Sequence, residues 1–318
     1  MPDRPFPNEI SPSPQHIRAG ILAYAAGDAL GVPWEGKPPD EVQWEQLEEL
    51  PARGDWPRGS TSDDTDQMLL VARYLVETKG QVDEREFLTR LAKALPGMRG
   101  VGPTTRAAVR RFVETGEQRA SEGSSIGAAM RALPFGWATP VAATEKRREL
   151  TVRLSRATHG APAATMSACV VAEMAAWAIE QHPIDAVVAA GLREADHLTR
   201  QYLLDSATMR LLREAADGDW ESSKGRMTID AVATLASVLH VLRQATGPAS
   251  AMKQAVALGG DTDTAAAIVG GIVGSQAGDI EAEIPWLPRV VLPDPEIVEA
   301  TAARLTELRG SFYPVRPR

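Results

Sequence analysis

Apolar residues recur every three to four positions along most of the chain, the period of a helix with one buried face. The two-residue alternation of a half-buried strand is almost absent. Gly and Pro punctuate the periodic stretches and set their limits. The pattern predicts helices over 17–30, 65–78, 84–95, 105–114, 126–133, 146–157, 163–180, 185–204, 207–216, 228–244, 249–258 and 296–308. A further apolar run, 265–274, opens behind a cluster of helix N-cap residues. Residues 37–61 are rich in Pro and Gly and have no period, which predicts a long ordered loop of the kind that carries function. The sum is an all-α fold. It forms a single compact multi-helix domain over 16–310, with a flexible Pro-rich tail at 1–15 and a short C-terminal tail at 311–318. No internal repeat or linker interrupts it.

The first helix carries Gly20, Ala23, Gly27 and Gly31 at spacings of three and four. A stripe of small residues lets a neighbouring helix come close. Pro33 then stops the helix.

Composition narrows the function. The chain has 318 residues, 44% of them hydrophobic, and a net charge of -8. An acidic surface argues against general binding to nucleic-acid backbones. The run 265–274 is too short for a bilayer, which takes about 20 residues. Cys169 is the sole cysteine, which excludes an intrachain disulfide and a cysteine zinc site. Residues 1–15 lack the basic-then-apolar order of a secretory signal. A cytoplasmic monomer is the expectation.

Candidate chemistry lies in two acidic loops. Gly259 and Gly260 lead into Asp261, Thr262, Asp263 and Thr264, ahead of the apolar run. Ser62, Asp63, Asp64, Thr65 and Asp66 stand ahead of a second apolar stretch. Each set fits ordinary helix capping. A cap needs one such residue, however, and 261–264 offers four. Alternating carboxylates with hydroxyls beside them also suit a hard divalent cation. Asp63, Asp64, Asp261 and Asp263 cannot share a small volume as bare anions, because like charges raise one another's pKa. The expectation is that the two loops meet around metal. Asp66 is expected outside the ligand set. His16, His182, His197 and His240 read as structural or surface residues, and Trp34 as core.

The ordered set Gly27-Asp-Ala-Leu-Gly31 with Glu35, Ser62-Asp-Asp-Thr65, Gly100-Val-Gly102, Ser125-Ile-Gly-Ala-Ala-Met-Arg131, Thr158-His159 and Gly260-Asp-Thr-Asp-Thr264 resembles the ADP-ribosylglycohydrolase family, from about residue 17 to about 278. The resemblance implies an all-α hydrolase with two divalent cations, Mg²⁺ or Mn²⁺, that cleaves the glycosidic bond between ADP-ribose and an acceptor such as a protein Arg or Ser. Nucleic acid would enter only as a modified acceptor. By position it implies Ser62, Asp63, Asp64, Asp261, Asp263 and Thr264 as metal ligands. It implies Glu35, Asp63, Asp64 and Asp261 as catalytic carboxylates, with Glu35 a general acid/base or gate. Gly100, Gly102, Ser124, Ser125, Gly127 and His159 are the implied ADP-ribose contacts, and Asp28 a structural acid near the site. Ile126 stands where the family often has Asn, so its side chain offers a ligand no hydrogen bond. The family also includes J1-type crystallins, so a non-catalytic ADP-ribose-binding or structural protein is the alternative.

Two other helical metal folds fit poorly. A di-iron carboxylate protein needs two Glu-x-x-His motifs, and only Glu194–His197 matches. An isoprenoid synthase would place an acid where Gln67 stands, and its cavity is aromatic-rich, whereas this chain is 5% aromatic.

Overall fold

A computed structural model describes residues 12–218 and 229–313. The helices are α1 (Pro14–Gly31), α2 (Asp63–Glu77), α3 (Glu84–Ala94), α4 (Pro103–Thr115), α5 (Leu133–Ala138), α6 (Thr144–Arg156) and α7 (Pro162–Ile179). They continue as α8 (Ile184–Tyr202), α9 (Ser206–Asp217), α10 (Ala231–Gln244), α11 (Pro248–Ala257), α12 (Thr262–Gly274), α13 (Ile280–Glu283) and α14 (Pro295–Ser311). No strand occurs among the described residues; one isolated antiparallel bridge joins Ser125 to Asp230.

The centre is the pair α1 and α12. A methyl group on Gly27 would fall on the Ala266 carbonyl, and one on Gly31 on the Asp263 backbone. The small-residue stripe thus lets two backbones touch and brings the end of α1 against the start of α12. α7 is the other central helix. It is long and apolar enough to cross a membrane, but 83% of it is buried inside the protein, as expected of a core helix. Buried arginines tie the periphery to this core. Arg309 donates to the carbonyls of Gly136 (2.7 Å) and Thr139 (2.6 Å), which closes the C-terminal end of α5. Arg147 pairs with Glu173. The region 37–61 is ordered, with short 3₁₀ turns at Pro39–Glu41 and Trp44–Glu49.

Some elements differ from the expected pattern. Residues 126–133 do not form one helix. A 3₁₀ turn, Ile126–Ala128, is followed by a separate α5. Pro134 lies in the first turn of α5, where its missing N–H costs nothing; within a helix continuing from 126 it would remove a hydrogen bond. The helix expected from 228 begins at Ala231, capped by Asp230, and residue 228 lies outside the described residues. α1 begins at Pro14 behind Ser13, inside the expected tail, and residues 1–11 lie outside the described residues. Ser311 still belongs to α14, and Phe312 packs beneath Gly80; residues 314–318 lie outside the described residues.

Glu194 and His197 are not a metal pair. Glu194 takes both arms of Arg148 at 2.7 Å, and His197 is exposed on α8.

Candidate active site

The two acidic loops start two helices. Ser62 caps α2, its Oγ accepting from the Asp64 N–H at 3.1 Å. Asp261 stands at the N-cap of α12 yet makes no side-chain cap bond, which leaves its carboxylate free for other work. Asp28, wholly buried on α1, holds the first loop. It accepts from the Ser62 N–H (3.0 Å), the Thr65 N–H (3.1 Å) and the Thr65 hydroxyl (2.6 Å). That is the structural role expected of it.

Glu35 follows the 3₁₀ turn Val32–Trp34. Its loop is bonded to the second acidic loop: Gly36 N–H donates to Gly260 C=O (2.7 Å) and Gly260 N–H to Lys37 C=O (2.8 Å). Gly259 and Gly260 both adopt positive φ, +72° and +75°, and a side chain on Gly259 would strike the Lys37 carbonyl at 2.7 Å. The Glu35 carboxylate pairs with Arg53, whose guanidinium lies 5.2 Å from the Trp56 ring centre.

These residues meet. One cleft of about 200 Å³ is lined by Glu35, Asp63, Asp64, Asp261, Asp263 and Thr264 on its acidic side. Its other side is formed by Gly100, Gly102, Thr104, Thr105, Ser125, Ile126, Gly127 and His159. The loops adjoin, because the Thr264 side chain lies near enough to Asp64 and to Asp261 to lower the pKa of both carboxyls. A larger groove of about 680 Å³ runs along α2 and α3, but it holds mixed charges around Leu69, Leu70 and Met98 and none of the clustered acids. Asp66 faces that groove, outside the cleft.

Burial dominates the electrostatics. Desolvation, then the neighbouring Asp28 charge, pushes Asp63 up to about 7, even though the Gln67 amide donates to its Oδ2 at 2.5 Å. Desolvation, opposed first by the neighbouring Asp263 side chain and then by Thr264, leaves Asp261 at about 6. Asp64 rises well above the carboxylate range through burial, then Asp28 and Asp63; Asp263 does so through burial, then Glu35 and Asp64. Asp64 Oδ2 is buried without a hydrogen-bond partner. Among the described residues no three acidic, His or Cys side chains are already drawn into a closed metal cage. The carboxylates line the cleft rather than converge on one point.

The opposite wall presents donors. Gly100 at φ +87° lets the loop pass between Asp63 Oδ1 and the Trp56 ring, each 3.2 Å from where a side chain would begin. Gly102 precedes α4, and the first turn of that helix, where Pro103 has no N–H and the next N–H groups have no partner within the helix, lines the cleft. Ser125 Oγ lies 3.0 Å from His159 Nε2 and 3.2 Å from Thr104 Oγ1. Burial, then the nearby Arg131 cation, pushes His159 down to about 3, so the ring is neutral. Ile126 is buried, and its N–H is taken by the Ile229 carbonyl.

Most of the expected site residues therefore share one cleft. Two stand apart. Ser62 is buried at its cap and does not line the cleft, and Ser124 is exposed and uses its carbonyl for the Ala231 N–H. Thr104, Thr105 and Gln67 were not anticipated. Two hydroxyls in the first turn of a helix opened by Gly102 and Pro103 were a readable signal for the threonines. Gln67, one turn after Asp63 on a helix, was readable as its neighbour.

An all-α frame here sets a wall of carboxylates against a wall of glycines, hydroxyls and a neutral imidazole. The ADP-ribosylglycohydrolase family model matches residues 11–313, and the chain belongs to that family. It is 29% identical over 285 residues to the ADP-ribosyl-[dinitrogen reductase] glycohydrolase of Rhodospirillum rubrum, a match spanning 86% of this chain and 90% of that one. An uncharacterised Archaeoglobus fulgidus protein is 28% identical over 307 residues, 92% of this chain and 97% of its own. A solved structure described as an ADP-ribosylglycohydrolase-related protein complex superposes with a TM-score of 0.75 at 28% identity, covering 93% of this chain and 98% of that one. Membership supports a hydrolase of ADP-ribose linkages.

Proposed function

We propose that this protein hydrolyses the glycosidic bond between ADP-ribose and an acceptor side chain or small molecule, with divalent metal held by the acidic wall. The carrying observation is the union in one cleft of Asp63 and Asp64 from α2 with Asp261 and Asp263 from α12. The donor set fits a hard cation: all its ligands are oxygens, and Asp64 Oδ2 is buried without a partner. Asp63, Asp64, Asp261, Asp263 and Thr264 would hold Mg²⁺ or Mn²⁺. Ser62, turned into its cap, is the weakest member of the expected set. Bound there, the ions would offset the carboxylate charge, orient ribose hydroxyls and acidify a water.

The chain's own residues do the rest. The N–H groups of α4, the Thr104 and Thr105 hydroxyls and the Ser125–His159 pair receive the diphosphate. The acidic wall faces the ribose and stabilises positive charge as the bond to the acceptor breaks. Water supplies hydroxide to the anomeric carbon, and the acceptor leaves with the remaining proton. Glu35, which lines the cleft and pairs with Arg53, would move that proton once the acceptor displaces the guanidinium.

A panel of ADP-ribosylated Arg, Ser, nucleobase and small-molecule acceptors, assayed with Mg²⁺, Mn²⁺ or chelator, tests the reading. Release of free ADP-ribose that chelator abolishes is the expected result. Tight ADP-ribose binding without turnover on any acceptor would instead make the protein a binder.

A further inference from the structure

The acidic wall and the donor wall are joined by an unbroken chain of hydrogen bonds, buried from Asp63 to His159 and part-buried at Ser125 and Thr104, with Arg131 in the middle. Arg131 is 1% exposed, and its guanidinium lies 5.5 Å from the Phe87 ring centre. Its Nη1 donates to Gln67 Oε1 at 2.7 Å and its Nη2 donates to Thr158 Oγ1. Thr158 Oγ1 is 2.8 Å from His159 Nδ1. His159 Nε2 is 3.0 Å from Ser125 Oγ, which is 3.2 Å from Thr104 Oγ1. Gly127 leaves space for the ring, since a side chain there would begin 2.8 Å from Nε2.

An arginine has N–H donors and no acceptor. That asymmetry orders both arms. On one arm, Gln67 accepts through Oε1, so the group it turns to Asp63 is the amide nitrogen, which donates to Oδ2. Asp63 Oδ1, beside Gly100, is left for the cleft. On the other arm, the buried Thr158 hydroxyl has two hydrogen-bond partners, Arg131, which cannot accept, and His159 Nδ1, so its single proton goes to Nδ1. A neutral imidazole that accepts at Nδ1 carries its proton on Nε2. That proton goes to Ser125, and the Ser125 proton goes to Thr104. Thr104 lines the cleft, and its own proton is left for the ligand.

We propose that Arg131 is a positioning residue that fixes the direction of this chain, so that its Thr104 end offers a hydrogen-bond donor to an oxygen of the ligand. The ligand's identity as ADP-ribose rests on the function proposed above; the direction of the chain does not. Arg131 touches neither ligand nor metal in this scheme. It acts through Gln67 on one side and through Thr158 and His159 on the other.

The test reads the histidine directly. Nitrogen-15 spectra of the metal-free protein, with His159 assigned through His159→Gln, should show Nε2 protonated and Nδ1 bare throughout pH 6–8. Arg131→Met should abolish this single tautomer. Because removing a buried cation can cost the fold, Thr158→Val interrupts the same chain one step on at nearly constant volume. It should scramble the tautomer and weaken ADP-ribose binding about tenfold, the worth of one hydrogen bond to a charged group. Thr104→Val should weaken binding by about the same factor and leave the His159 spectrum unchanged. A parent histidine protonated at Nδ1, or a Thr158→Val spectrum identical to the parent's, overturns the proposal. Failure of the parent to bind ADP-ribose, with Nε2 protonated, overturns the functional reading and the role given to Thr104 but not the direction set by Arg131.

Discussion

Asp28 and Asp261 are both buried, and desolvation raises both to about 6, yet their surroundings give them opposite work. Asp28 takes the Ser62 N–H, the Thr65 N–H and the Thr65 hydroxyl, all buried donors. Asp28→Ala strands these donors, each at a cost of about 1–3 kcal/mol. The expected outcome is a fold weakened by several kcal/mol and a lowered urea midpoint. Asp261 caps nothing through its side chain, and its carboxylate sits among like charges. Asp261→Ala should keep the parental circular dichroism while kcat/KM falls by more than about a hundredfold, beyond what loss of a group that only orients a ligand costs. An Asp261→Ala protein with parental turnover would remove this residue from the chemistry. An Asp28→Ala protein as stable as the parent would remove Asp28 from the scaffold.

At the scale of elements, the site exists because α1 and α12 approach closely enough for their backbones to touch. A methyl on Gly27 meets the Ala266 carbonyl, which no side-chain rotation can relieve. Gly27→Ala should therefore destabilise by about 1–3 kcal/mol or more, the range for overpacking a filled core. Gly310, in α14, meets nothing within 4 Å, and Gly310→Ala should stabilise by a few tenths of a kcal/mol up to about 1 kcal/mol. Urea titrations of the two variants should move in opposite directions; movement in the same direction would show that the crossing does not depend on the glycine. This contact was legible beforehand, because a small-residue stripe repeats at helical spacing. The acidic loops were legible too, because too many capping residues precede each apolar run. The region 126–133 was misread, since its apolar content masked what Pro134 does to a helix. The Gln67–Arg131–Thr158–His159 chain was not legible as a unit. Arg131 lies 64 residues from Gln67 and 27 from Thr158. A lone arginine in an apolar stretch announces a buried partner without saying which. Ser124 was drawn into the site by its neighbours, and only the fold, which turns it outward to meet α10, separates it from Ser125.

For the whole molecule, the cluster makes stability depend on pH and on cation together. In the metal-free native chain Asp63 titrates at about 7, and Asp28 and Asp261 at about 6, against an ordinary 3.8. Asp64 and Asp263 are displaced further in the same direction. Between roughly pH 4 and pH 7 the native chain therefore holds more protons than the unfolded one, so stability falls as pH rises. The contribution is fully present below the unfolded value of about 3.9 and is lost as pH passes through the native values near 6 and 7. A divalent cation bound by the acidic wall supplies the positive charge that protons supply at low pH, and it stabilises only the state that binds it. Thermal melts in chelator should thus fall from pH 5 to pH 8. Added Mg²⁺ or Mn²⁺ should raise the melting temperature more at pH 8 than at pH 5, and the Asp261→Ala variant should lose most of that rise. The difference between the melts with and without cation isolates the cluster from the general repulsion of a chain with net charge -8, which acts in both. A cation-induced rise of equal size at both pH values, or one undiminished in Asp261→Ala, would place the bound ion away from these carboxylates.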